Sequence, residues 1–163
     1  MFFLTSGFLL ADGLKVIYEK EYGEGFVIVN SVSFVDEDGK VIKYVPKASS
    51  EEKLKVLLYD SVVSPESEFI VLPIARKDGF QFSRGSEIIK NLRGGSFDSF
   101  KFVAAANSVQ MFHHFVKWVS SDVIQIRVTK ESSVILVNVN LKKRSFKVVK
   151  SEYPIELKAV FSK

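Results

Sequence analysis

Residues 107–121 read NSVQMFHHFVKWVSS, and the fold turns on what this stretch forms. Stepped at ~100° per residue, Val109, Met111, Phe112, Phe115, Val116, Trp118 and Val119 gather on one side. Gln110, His113, His114, Lys117, Ser120 and Ser121 gather on the other. The spacing predicts an amphipathic helix with a wide apolar face and a polar face that hydrogen-bonds and is only weakly cationic. Everything after it alternates like strand: Val123–Thr129, Val134–Leu141, Ser145–Lys150 and Ile155–Phe161. Glu131-Ser132-Ser133 and Lys142-Lys143-Arg144 are the corners between them, and Pro154 interrupts the last pair.

Upstream, Asp12-Gly13 separates the apolar runs Phe8–Ala11 and Leu14–Glu19, a hairpin signature. Phe26–Phe34 is a third strand, Asp36-Glu37-Asp38-Gly39 a turn and Val41–Val45 the return, so the first 45 residues read as an antiparallel meander ended by Pro46. Ser49–Val63 reads as a second long helix, with Ser49 and Glu52 as capping box and Leu54, Leu57, Leu58 and Val62 as its apolar stripe. Phe69–Ala75 and Phe80–Phe82 are strands around Lys77-Asp78-Gly79. Ser86–Arg93 is a short helix closed by Gly94-Gly95. Ser96–Val103 alternates as a strand ending near Ala104. The expectation is one α+β domain over residues 1–163, mostly antiparallel sheet, with two longer amphipathic helices and one short one.

Composition narrows the chemistry. Apolar residues are 47% of the chain and aromatics 13%, with 15 Phe, which is ample for a packed core. With no cysteine, disulfides, thiolate metal sites and a cysteine nucleophile are excluded. Charge is divided: residues 1–70 hold 7 Lys+Arg against 12 Asp+Glu, net −5, and residues 71–163 hold 16 against 7, net +9. A basic second half favours a polyanionic partner; an acidic first half argues against simple coating of one. The opening MFFLTSGFLLADG has no basic leader, which argues against a signal peptide, and no run reaches the ~20 apolar residues of a spanning helix. The expected location is cytoplasmic. Abundant Val, Ile, Lys and Glu beside few Met lean toward a thermophile's composition.

No Walker, dinucleotide or nucleophile-elbow motif occurs, and no cofactor is indicated. His113 and His114 on a helix point ~100° apart, so they do not share a metal, and solvated helix-face histidines are the expectation. Ser83-Arg84-Gly85-Ser86 before a helix offers amides to a phosphate or serves as a plain N-cap. Phe80, Phe82 and Arg84 alternate on one strand face, either to stack bases or to fill the core. Lys142, Lys143, Arg144, Lys147 and Lys150 are the densest cationic group, a polyanion contact or an edge-strand guard.

FKFVAAANSVQMFHHFVKWVSSDVIQIRV followed by SSVILVNV, then RSFKV at Arg144–Val148, resembles the strand–helix–strand–strand run of DNA sliding clamps of the proliferating-cell-nuclear-antigen type. GFLLADGLKVIYEKEYGEGFVIVN (Gly7–Asn30) is similar to the clamp hairpin, and Tyr153-Pro154-Ile155-Glu156-Leu157 to a strand near the clamp's end. The resemblance leaves residues 36–95 without a counterpart. It implies helices that line a channel and face DNA phosphates without reading bases. Gln110, His113, His114 and Lys117 would be the lining positions. The functional expectation is a non-catalytic, nucleic-acid-associated accessory protein, a clamp-like relative of DNA replication factors, binding DNA backbone without sequence specificity through Lys117, Lys142, Lys143, Arg144, Lys147, Arg84 and Arg93. Two alternatives stand beside it. One is an assembly subunit of a larger complex, viral or otherwise, that self-associates or meets a protein partner through its unlike halves. The other is an enzyme with a site around Arg84, His113 and His114.

Overall fold

Within each of three sheets, neighbouring strands among the described residues pair antiparallel. The computed structural model describes residues 2–9, 15–23, 26–44, 63–74, 77–153 and 155–163. β1 (Phe2–Leu9), β2 (Lys15–Gly23), β3 (Phe26–Val35) and β4 (Val41–Tyr44) form one meander. β5 (Phe69–Pro73), β6 (Phe80–Arg84) and β7 (Asp98–Ala104) form a second sheet, to which β12 (Leu157–Ser162) returns beside β7. β8 (Phe112–Trp118), β9 (Val123–Lys130), β10 (Ser133–Asn140) and β11 (Ser145–Ser151) form a third, with β8 and β11 at its edges. A tight turn at Gly85–Glu87 runs into the short helix α1 (Ile88–Leu92).

The turns follow from local chemistry. Asp36 Oδ1 accepts from the amides of Asp38 (3.0 Å) and Lys40 (2.8 Å), and Gly39 takes φ +76° between β3 and β4. Gly79 has φ +80°, and a Cβ there would lie 2.1 Å from the Phe100 carbonyl oxygen, so only glycine fits the β5–β6 turn.

The fold class expected from the sequence is overturned: the described residues are mostly antiparallel strand, and helix among them is limited to α1 and the tight turns at Pro65–Ser67 and Gly85–Glu87. The stretch 107–121 is not a helix. Ser108 sits at φ +54°, its amide bonds to the Ala104 carbonyl (2.9 Å), and Val103 bridges to Gln110, so residues 104–109 reverse the chain. Phe112–Trp118 then extends as β8. Register slips between Phe115 and Lys117, leaving Val116 as a bulge. Inward positions therefore fall at His113, Phe115 and Trp118, opposite Val128, Ile126 and Ile124. A bulge inserted into a period of two produces spacings that scan as helical. The other expected long helix, Ser49–Val63, lies outside the described residues except for Val63, which bridges to Ile70. The short helix near 86–93 forms, with Gly94 at φ +112° beyond it. Among the described residues, no helix is long and apolar enough to cross a membrane.

One core joins the sheets. Phe80, Phe82, Phe100 and Phe102 share the inner face of the second sheet and pack against Ile124, Ile126, Val128, Ile135, Val137 and Val139 of the third. Phe102 meets Phe146 of β11 edge-on, with ring centroids 5.0 Å apart. Val16, Val32 and Phe34 extend the core to the first sheet. An Arg93–Asp36 ion pair also joins α1 to the β3–β4 turn.

Candidate functional site

The inward face of the third sheet is apolar, and its basic residues lie on the outward face. Along β9 and β10, Ile124, Ile126, Val128, Ile135, Val137 and Val139 are 0% exposed, and the alternate residues must face the other way. Register then assembles a row across all four strands: Lys147 opposite Asn138, Asn138 opposite Gln125, Gln125 opposite Lys117. The Gln125 side-chain amide donates to Asn138 Oδ1 at 3.1 Å, which fixes the centre of the row. The next row runs Lys150, Leu136, Arg127, His114. At ~4.8 Å per strand the first row places Lys117 and Lys147 on the order of 14 Å apart. β8 to β11 carry Lys117, Arg127, Lys130, Lys147 and Lys150, and no Asp or Glu.

A second basic surface lies where the two facing sheets open. Here a cleft of about 490 Å³ is floored by Phe69, Phe82 and Leu141. Arg84, Lys90, Lys142, Arg144 and Lys163 reach it, against Glu87 and Asp98. Arg144 pairs with Asp98 at 2.8 Å, and Lys142 lies 3.8 Å from Glu68. The Arg84 guanidinium sits over the Phe69 ring, 6.0 Å from its centroid. Ser83, buried beneath, donates to the Arg84 carbonyl (3.0 Å) and accepts from Asn91 Nδ2 (2.7 Å), holding β6 to α1.

The sequence candidates thus separate. Arg84, Lys142 and Arg144 meet at the cleft, with Lys143 exposed on the same β10–β11 turn. Lys117 and Lys147 share the outward sheet face. Arg93 is elsewhere, paired with Asp36 beside a smaller acidic groove of about 300 Å³. Gln110 is exposed at the chain reversal, on no helix. His113 and His114 are 4% and 8% exposed, which corrects their expected place on a solvated helix face. His113 Nε2 accepts the Phe102 amide at 2.8 Å. Phe80 and Phe82, each 2% exposed, belong to the core and offer no stacking platform.

Arg127, Lys90 and Lys163 escape sequence reasoning. The alternation of VIQIRVT does put Arg127 beside Gln125 on the polar side, a signal that was there to find. Lys90 and Lys163 carry no such signal, since only the fold brings α1 and the end of β12 to one opening. Among the described residues, no group of three or more His, Asp or Glu is placed to hold a metal ion. Compared with known proteins, the chain matches no family model, no curated protein and no solved structure.

Proposed function

We propose that this chain is a non-catalytic, nucleic-acid-associated accessory protein that holds the phosphate backbone without reading sequence. The supporting observation is the outward face of β8–β11: Lys117, Arg127, Lys147 and Lys150 around Gln125 and Asn138, with no carboxylate in any of the four strands. Cations supply attraction by releasing condensed counterions, and amide side chains add hydrogen bonds to phosphate oxygens. An extended face of this kind presents no element shaped to enter a groove, so base readout is not expected. The reading does not draw on the clamp resemblance, because the helix assigned there to a channel wall is β8.

Titration of duplex DNA between about 50 and 200 mM salt tests it. Four phosphate contacts give a log–log slope of about −3.6. Lys117→Ala, Arg127→Ala and Lys147→Ala together remove about three-quarters of that slope. A salt-independent response, or an unchanged slope in the triple variant, ends the proposal. Salt-sensitive self-association without DNA, seen by light scattering, would favour the assembly reading instead.

A further inference from the structure

The cleft between the facing sheets is a different surface from the sheet face above. We propose that it binds a phosphomonoester, the doubly charged group carried by a free nucleotide, by inorganic phosphate or by the end of a nucleic-acid strand. The inference stands on the cleft alone.

Charge is the first argument. Among the lining side chains, five cations against two carboxylates stand at net +3. Asp98 offsets Arg144, and Glu68 approaches Lys142. Among the described residues, no carboxylate pairs with Arg84, Lys90 or Lys163. Converging like charges repel one another, and an anion between them relieves that cost.

Size and lining are the second. A volume of about 490 Å³ is that of a small-molecule site. The floor rings Phe69 and Phe82 are 3% and 2% exposed, so an apolar ligand or a stacked base finds little to bury against. What remains accessible is polar: the five cations, Glu87, Asp98, Asn91 and Ser96. A phosphomonoester carries about −1.5 to −2 at pH 7, where a backbone diester carries a single charge, so the convergence favours the monoester.

Preorganisation is the third. Arg84 rests on the Phe69 ring, and its strand is tied to α1 through Ser83 and Asn91. The guanidinium therefore loses little freedom on binding, and its planar fork suits two phosphate oxygens.

Calorimetry on the full chain at low salt tests this with inorganic phosphate, adenosine 5′-monophosphate and adenosine. Phosphate and the monophosphate bind, and adenosine does not. Arg84→Gln with Lys163→Gln weakens the monophosphate about tenfold or more. Lys90→Gln, a single change on an exposed side chain, weakens it independently, and Lys117→Gln on the outward sheet face does not. A 5′-phosphorylated oligonucleotide binding tighter than its 5′-hydroxyl twin, with the difference lost in the double variant, identifies a strand end as the source. Equal binding of the two identifies a free phosphate or nucleotide. Absence of phosphate and monophosphate binding, adenosine binding as tight as the monophosphate, or affinity undiminished in the Arg84 and Lys90 variants overturns the proposal.

Discussion

The backbone amide of Phe102 on β7 donates to Nε2 of His113 on β8 across 2.8 Å, so a side chain in one sheet satisfies a main-chain donor in another. The acceptor nitrogen must be unprotonated, which places the imidazole proton on Nδ1. His113→Phe keeps a buried ring and removes the acceptor. Its expected cost is about 1–3 kcal/mol, the penalty of a buried amide left unpaired. Chemical denaturation measures it, and polyanion binding per folded molecule stays unchanged.

Asn138 lies at the middle of the basic row, with Lys147 and Gln125 as its cross-strand neighbours. Asn138→Asp retains the oxygen that accepts from Gln125 and adds one negative charge. Folding stability should change little. DNA affinity at low salt should fall by about fivefold, or about 1 kcal/mol, in a binding titration.

Asp98 neutralises Arg144 at the mouth of the cleft, and the two side chains are 29% and 41% exposed. A pair this accessible contributes at most about 1 kcal/mol. Asp98→Asn therefore costs little stability and raises the cleft's net charge by one. Affinity for adenosine 5′-monophosphate should rise by about two- to fivefold in calorimetry.

Gly85 faces the loop before β5: a Cβ there would lie 2.1 Å from the Ser67 carbonyl oxygen. The Gly85 amide also bonds to the Glu68 carbonyl at 3.0 Å. Gly85→Ala must displace backbone, at a cost of about 1–3 kcal/mol in thermal or chemical unfolding. Arg84 and Glu68 move with that backbone, so anion binding in the cleft weakens as well.

Burial pushes the Tyr44 phenol from 10.0 up to about 12. Below pH 10 the phenol is neutral in both folded and unfolded chains, and its contribution to stability is fully present. Between pH 10 and about 12 the unfolded chain ionises while the folded one holds its proton, so stability is lost as pH rises through this window. Tyr44→Phe should flatten the alkaline loss in denaturation curves. Ultraviolet titration of the folded protein should show one tyrosine ionising near pH 12.

Alternation and turn chemistry made much of this architecture readable. VIQIRVT lies within β9 and VILVNVN within β10, with Leu141 just past the strand's end, and Asp38-Gly39 and Asp78-Gly79 turn where a positive φ demands glycine. The 107–121 stretch misled for two physical reasons. The Val116 bulge breaks the period of two, and His113, polar by type, points inward because the Phe102 amide needs it. The basic run 142–147 was visible as charge, but not as two surfaces. The turn after β10 sends Lys142 and Arg144 to the cleft, while Lys147 joins the outward row. Arg93 looked free until folding set it against Asp36, 57 residues away.

The chain reversal at residues 104–109 carries β7 out of one sheet and into β8 of the next. Facing layers joined by continuous backbone at one end behave like the covers of a book bound along a spine. Asp98, six residues back along β7 and roughly 20 Å from that binding, sits at the fore-edge. Side chains, the Arg144–Asp98 pair among them, span that edge where backbone does not, so substitution there changes what can enter.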